Sequence, residues 1–500
     1  MTIGPLAIGE TGDLTLEAFE QVAIEGRRLA PIDSELLKQI DLTHRRMLGR
    51  LSSEPVYGIN TGTGYLHDIR LSKSEQEAHQ ANLLLARAVG GPPYLERVEA
   101  RALLLARLAG FLHGHAGISS QLCEFLVDRL NDDFVPAIPR SSIGCAGEVI
   151  PLSHAFQTFM GVGSVLTSSG SLQDASAALA ERRVSPYQPA AKEGIALLAG
   201  APGTLGLAIV RRRESSLLAR QLLVAFACAI DAIRAPLSPY GASMARLAKD
   251  PLMDRVLQRL GALLAGAHPD HSRVQAPISL RVVPQVLVHL ERTIGRLEED
   301  AQRALAASDD SPAFIGGEFV SSGSFHAIGL AAGMDGLSIA LAHAAELATQ
   351  HIHRLLDHRF SGLPDQLTRH PGPQTGLTVV HKRAGGAVNE LRRLAMPATV
   401  GLVDTSLGQE DAMTFAFEAA GKLRRVQELV RGVIACELLT TYQAWSLGDA
   451  GPAEGLADHF QLLKKTVPPI EVDRPLGVDI EAIIALLARG AFAGKVEGGV

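Results

Sequence analysis

The sequence predicts an all-α fold, a bundle of long helices. Three observations carry that expectation. Of the 500 residues 47% are hydrophobic but only 4% aromatic, so the apolar mass is Ala, Leu and Val, which suit closely packed helices. Helical periodicity recurs over long stretches. Strand signals are few and short.

Taken in order, the long helices are expected over residues 83–112, 205–233, 282–307, 325–356 and 409–445. In the last of these Leu423, Val426, Val430 and Val433 share one face and form a single apolar stripe. Pro468, Pro469 and Pro475 break the chain before a short helix over 479–487. Unusual residues gather in the loops 57–65, 138–147, 199–203, 321–324 and 405–409. A boundary near residue 205 separates a loop-rich helical part (1–204) from a long-helix part (205–500). The apolar stretch 194–210 is broken by Gly200, Pro202 and Gly203, and reads as a buried loop and helix start, too interrupted for a membrane span.

Charge and cysteine usage exclude several function classes. A net charge of −6 gives no electrostatic case for nucleic acid or an anionic membrane. Cys123, Cys145, Cys228 and Cys436 show no CxxC spacing, so reduced cytosolic thiols are expected and no disulfide framework. No metal-ligand spacing appears, and no nucleotide-binding Gly loop follows a strand. Residues 1–16 carry acids and no basic, apolar leader, which points to the cytoplasm.

The chemistry is concentrated in a set of ordered blocks. Ser142-Ile143-Gly144-Cys145-Ala146-Gly147-Glu148-Val149-Ile150-Pro151-Leu152-Ser153-His154 is similar to Gly-Ser-x-Gly-Ala-Ser-Gly-Asp-Leu-x-Pro-Leu-x-His, the signature loop of the histidine/phenylalanine ammonia-lyase family. Five further blocks follow that family's order: Tyr57-Gly58-Ile59-Asn60-Thr61-Gly62-Thr63-Gly64, Asn82-Leu83, Pro277-Ile278-Ser279-Leu280-Arg281 with Pro284-Gln285, Gly323-Ser324-Phe325-His326, and Ser406-Leu407-Gly408-Gln409-Glu410-Asp411. The resemblance covers nearly the whole chain. It implies the all-α bundle shared with fumarase and aspartase, and a homotetramer whose active sites each draw loops from three subunits. A fold hosts many functions, so the site has to be argued separately.

In that family the Ala-Ser-Gly triplet cyclises, sheds two waters and yields an electrophilic methylidene-imidazolone. Here the triplet is Cys145-Ala146-Gly147. Alanine has no β-hydroxyl to lose, so the resemblance implies the scaffold without its cofactor, and no other cofactor or metal is expected. The carried-over roles are Tyr57 as general base and Arg281 as the carboxylate clamp, with Asn60 and Gln285 beside the carboxylate and Phe325 on the pocket wall. A phenol needs its anion stabilised before it can act as a base, and a guanidinium fork matches a carboxylate. Glu410 and Lys382 fall where histidine lyases hold the imidazole and would stabilise charge on a polar ring; Arg87 stands in place of a histidine and is a further substrate contact.

Other departures fall at Ala199 and Pro202, where the family has Asn and Gln, at Ile278 for Tyr, at Thr63 for Phe, and at Glu148 for Asp. The positions changed at Ala146, Ala199 and Ile278 are those that form the cofactor, contact it or assist at the amine, while the base and the clamp remain. A substrate whose nitrogen already leaves well needs no electrophile. The site therefore resembles that of an ergothionase, which releases trimethylamine from the betaine ergothioneine to give thiourocanate. No aromatic cage for the quaternary ammonium is evident. Another methylidene-free lyase or cyclase, a catalytically silent homologue and an engineered Ser-to-Ala knockout remain open alternatives. Cys145 reads as a buried small hydrophobe rather than a nucleophile.

Overall fold

Helix starts and stops written into the sequence set the architecture seen in a computed structural model, which describes residues 4–51 and 54–493. The helices that matter for the site are α1 (Lys73–Leu85), α2 (Arg97–Leu112), α3 (Val149–Gln157), α4 (Glu193–Leu198), α5 (Pro202–Ala232), α6 (Ile278–Arg281), α7 (Val283–Leu305), α8 (Ile328–Leu355), α9 (Thr378–Leu394), α10 (Ala416–Leu447) and α11 (Gly477–Ala488). Strand structure among the described residues is confined to three two-stranded pairs. Leu6–Ile8 runs parallel to Leu29–Ile32, Ser164–Leu166 antiparallel to Leu172–Asp174, and Ala313–Ile315 antiparallel to Glu318–Val320.

The expected helices over 205–233, 282–307, 325–356 and 479–487 correspond to α5, α7, α8 and α11, and the one expected over 409–445 is α10, which begins only at Ala416. The continuous helix expected over 83–112 is corrected: it is α1 and α2 with a non-helical link over 86–96. Gly90 and Gly91 supply weak helix formers there, and Pro92 and Pro93 lack amide donors and restrict the residue before them. α1 starts on a capping box, the Ser72 hydroxyl accepting from the Glu75 amide while the Glu75 carboxylate accepts from the Ser72 amide at 2.7 Å.

The chain forms two compact units. The first comprises Met1–Arg212, Arg296–Asp335 and Pro397–Gly421; the second comprises Arg213–Gly295, Gly336–Met396 and Lys422–Val500. The first passage between them thus lies at Arg212 rather than 204, and two later segments return to the first unit. Within the first unit the backbones approach closely. A Cβ at Gly206 would stand 2.7 Å from the Ala102 carbonyl carbon, so α2 meets the start of α5 without an intervening side chain.

Within the second unit Leu423, Val426, Val430 and Val433 are fully buried, as their spacing predicts. Some of the polar side chains at this depth are paired between helices. His351 on α8 contacts Glu437 on α10 at 2.7 Å, and Trp445 donates to Asp231 at 2.9 Å.

Among the described residues two helical stretches, Glu193–Ala232 and Ser324–Leu355, are long and apolar enough to cross a membrane. In the first, 94% of the apolar window is buried by the protein itself, which is the behaviour of a core helix; in the second, 50% is buried. The interruption expected within 194–210 is present: α4 ends at Leu198 and α5 begins at Pro202.

Candidate active site

The Tyr57 loop is held from within. Asn60 is 7% exposed, and its carboxamide accepts the Val56 amide at 2.7 Å and donates to the carbonyls of Leu51 (3.0 Å) and Glu54 (2.8 Å). Asn60 thus closes its own loop, where the sequence reading placed it beside the substrate carboxylate. Gln80, almost wholly buried on α1, ties the loop to α4 by donating to the Gly58 carbonyl (3.1 Å) and accepting the Ile195 amide (3.1 Å). Gly58 has φ +68°, and a Cβ there would press on Ile195 at 3.0 Å, so the turn calls for glycine. The result presents a 40% exposed Tyr57 whose phenol oxygen accepts the Gly64 amide at 2.8 Å.

Opposite this loop lies the Cys145-Ala146-Gly147 triplet. The Ala146 amide donates to Oε2 of Glu410 at 3.0 Å. Gly147 has φ +70°, and a Cβ on it would lie 3.5 Å from the Phe325 ring. The next residue, Glu148, is 3% exposed and plugs the N-terminus of α5, accepting the amides of Gly203 and Thr204 at 2.6 Å each. Burial pushes its carboxyl up to about 7, opposed by hydrogen bonds from Thr204 and Gly203. Burial likewise pushes the Cys145 thiol up to about 11, which fits the expectation of an unreactive cysteine.

The loop after α4, which carries Ala199, rests on buried charge. Arg107 is fully buried and donates to the carbonyls of Ala196 (3.1 Å) and Ala199, while Asp309 accepts the Ala201 amide at 2.6 Å. Beside them Lys192 contacts Asp310 at 2.5 Å with both side chains buried. Burial opposes the charged form of both partners, and each favours the charge of the other.

These pieces enclose a cavity of about 680 Å³ whose lining includes Tyr57, Arg87, Ala146, Glu148, Phe325 and Glu410, all in the first unit. Arg87 is half-buried and donates to the Thr63 hydroxyl (2.5 Å) and the Leu83 carbonyl (3.2 Å). Burial weakens its charge, while Tyr57 and Glu410 support it. A phenol, a guanidinium and a carboxylate therefore face one cavity, the equipment for removing a proton and holding a polar ring. The triplet does not fit a methylidene-imidazolone. Ala146 carries no β-oxygen to eliminate, and its amide hydrogen is engaged by Glu410.

Arg281, Gln285 and Lys382 lie in the second unit and do not line this cavity. Arg281 ends α6 and donates to Gln275 at 3.0 Å; Gln285 is exposed on α7. The α6 turn is fixed by the Tyr240 hydroxyl, which donates to the Leu280 carbonyl (2.9 Å), and by the His351 ring, 3.0 Å from the Ser279 carbonyl. Lys382 is exposed on α9 and lines a second cavity of about 570 Å³ with His353, Asp357, His358, Asp365 and His381. Asp357, His358 and Asp365 hold possible metal-ligating atoms within 4.8 Å of one another, a grouping the sequence reading did not anticipate. Their contacts are already protein-made: Arg359 forks onto Asp357, and His358 meets Asp365 at 2.9 Å.

Sequence reasoning also passed over Gln80, Arg107, Lys192, Asp309, Asp310, His351 and Glu437. The available signal was a charged or amide residue inside an apolar run, such as Arg107 between Leu103 and Leu112.

The fold is all-α and built from long helices, and the cavity is lined largely by the loops that connect them. The chain belongs to the aromatic amino acid lyase family, whose family model matches residues 14–465. It is 32% identical to the histidine ammonia-lyase of Burkholderia multivorans over 491 residues, covering 96% of this chain and 97% of that protein. It is also 32% identical to the histidine ammonia-lyase of Symbiobacterium thermophilum over 496 residues, covering 97% of each. Among solved structures it is similar to a tyrosine aminomutase from Streptomyces globisporus, with a TM-score of 0.92, 28% identity and coverage of 98% of this chain and 97% of that one. The ergothionase of Treponema denticola shares the fold, with a TM-score of 0.92 at 23% identity over 98% of this chain and 100% of that one.

Proposed function

We propose that this chain is a carbon–nitrogen lyase that works without a methylidene-imidazolone and eliminates a tertiary amine from a betaine, with ergothioneine as the best candidate substrate. One observation carries the reading: the triplet holds Ala146 where the family's cofactor needs a β-hydroxyl, yet a tyrosine, a guanidinium and a carboxylate still line the same cavity. Ammonia is a poor leaving group from a free amino acid and calls for an electrophile. A trimethylammonium departs as a neutral amine and cannot attack an electrophile at all.

In this reading the Tyr57 oxygen, supported by the Gly64 amide at 2.8 Å, takes a β-hydrogen of the substrate as a proton. The electron pair left behind forms the Cα–Cβ double bond, the Cα–N bond breaks, and trimethylamine leaves with the bonding pair. Glu410 and Arg87 hold the thioimidazole ring, and Phe325 supplies apolar wall. Arg281 clamps the carboxylate, Gln285 supports it, and Lys382 steadies the ring. These three come from other copies of the chain in a homotetramer, which reconciles their place in the second unit with roles at the cavity.

The test is incubation of the purified protein with ergothioneine, following trimethylamine and the conjugated thiourocanate product. Release of both supports the reading; silence on ergothioneine overturns it.

A further inference from the structure

Cyclisation of an Ala-Ser-Gly triplet draws the middle residue's nitrogen into the ring and removes its hydrogen. Ala146 keeps that hydrogen, and the structure shows what it does. It donates to Oε2 of Glu410, 264 residues further along the chain, at 3.0 Å.

The segment that carries Glu410 is shaped for this contact. The Glu410 carbonyl accepts the Thr405 amide at 2.9 Å, closing a tight turn. Inside that turn Ser406 and Leu407 both adopt left-handed backbone (φ 56° and 52°), which non-glycine residues hold only when their surroundings enforce it. A backbone amide is a directional donor, and an acceptor carboxylate oriented by it is fixed in rotation as well as in place. Oε2 accepts the Ala146 amide, and Ala146 and Glu410 both line the cavity.

We infer that the uncyclised triplet serves as the positioning element of the site, with the Ala146 amide aiming the Glu410 carboxylate at the substrate ring. The backbone that elsewhere becomes an electrophile here becomes a hydrogen-bond donor. The inference rests on the reading that Glu410 contacts the substrate.

The experiment compares the unaltered chain with Glu410→Ala, Ala146→Pro, which removes the amide hydrogen, and the double variant. Ala146→Pro is expected to lower kcat for ergothioneine by about ten- to a hundredfold with KM little changed, the scale of one hydrogen bond to a charged group. In the Glu410→Ala background the same change is expected to cost almost nothing further. An equal further loss there means the two groups act independently and overturns the inference. Amide hydrogen exchange over residues 144–148 gives a readout free of turnover and of the proline variant's folding: Glu410→Ala is expected to speed it, and unchanged exchange overturns the inference. If the unaltered chain does not turn over ergothioneine, the proposed function falls and this inference falls with it, whereas turnover with unchanged exchange or with independent losses overturns this inference alone.

Discussion

Glu148 meets the amide of Thr204 at 2.6 Å, at the N-terminus of a 31-residue helix and next to the degenerate triplet. Its burial has a consequence for pH. The folded carboxyl titrates at about 7 and the ordinary Glu value is 4.5, so between these limits the folded state keeps a proton that the unfolded chain has released. Stability contributed by this group is present below that window and lost as pH rises through about 7. Melting curves should therefore show the unaltered protein losing stability relative to Glu148→Gln between about pH 5 and pH 8. A constant difference across that range would mean that Glu148 does not titrate there.

Tyr57→Phe removes the proposed base and the acceptor of the Gly64 amide while keeping the ring. Its kcat should fall by about a hundred- to ten-thousandfold, the usual contribution of general base catalysis. Steady-state kinetics on ergothioneine would check this, and an active Tyr57→Phe would remove tyrosine from the mechanism.

The Lys192–Asp310 pair should behave as a buried ion pair. Lys192→Met leaves Asp310 buried without its partner and should cost about 3–5 kcal/mol. Lys192→Met combined with Asp310→Leu should recover most of that loss, because the uncompensated charge is gone. Urea denaturation of the three proteins is the measurement; equal stability of the two variants would contradict the pairing.

His351 joins Glu437 to the Ser279 carbonyl inside the second unit, so it supports the turn that ends at Arg281. His351→Ala leaves a buried carboxyl and should destabilise the protein by about 3 kcal/mol. Calorimetry would read the effect; a shift of a few tenths would place the support elsewhere.

Cys145 lines the main cavity, yet burial holds its thiol at about 11. Alkylation by iodoacetamide near neutral pH should be slow at this residue and accelerate only in alkaline solution. Mass spectrometry of the peptide carrying residue 145 checks this, and rapid labelling near neutrality would reopen a nucleophilic role.

The sequence made the long helices readable because each sustains its period between clear breakers: α5 starts at Pro202, and the α10 stripe from Leu423 to Val433 never slips. It misled at 83–112, where apolar richness on both sides outweighed the Gly90–Pro93 interruption. The loops around Tyr57, Ala146 and Glu410 were legible because each carries its own short motif, and the structure brings these three residues to one cavity. Lys192 and Asp310 are 118 residues apart and reveal nothing singly, since a lone Lys or Asp usually lies at the surface. Asn60 was misplaced for a related reason: its side chain satisfies backbone groups whose positions only the folded loop defines.

The leaving group is the centre of this account, and the most direct measurement sets the free amine against the betaine on one carbon skeleton. Purified protein would be given ergothioneine and, separately, thiol-histidine with its unmethylated amine, with trimethylamine and ammonia followed in parallel. Elimination is expected from the betaine alone. Ammonia release from the free amino acid at a comparable rate would contradict it, because Ala146 offers no electrophile to assist that departure.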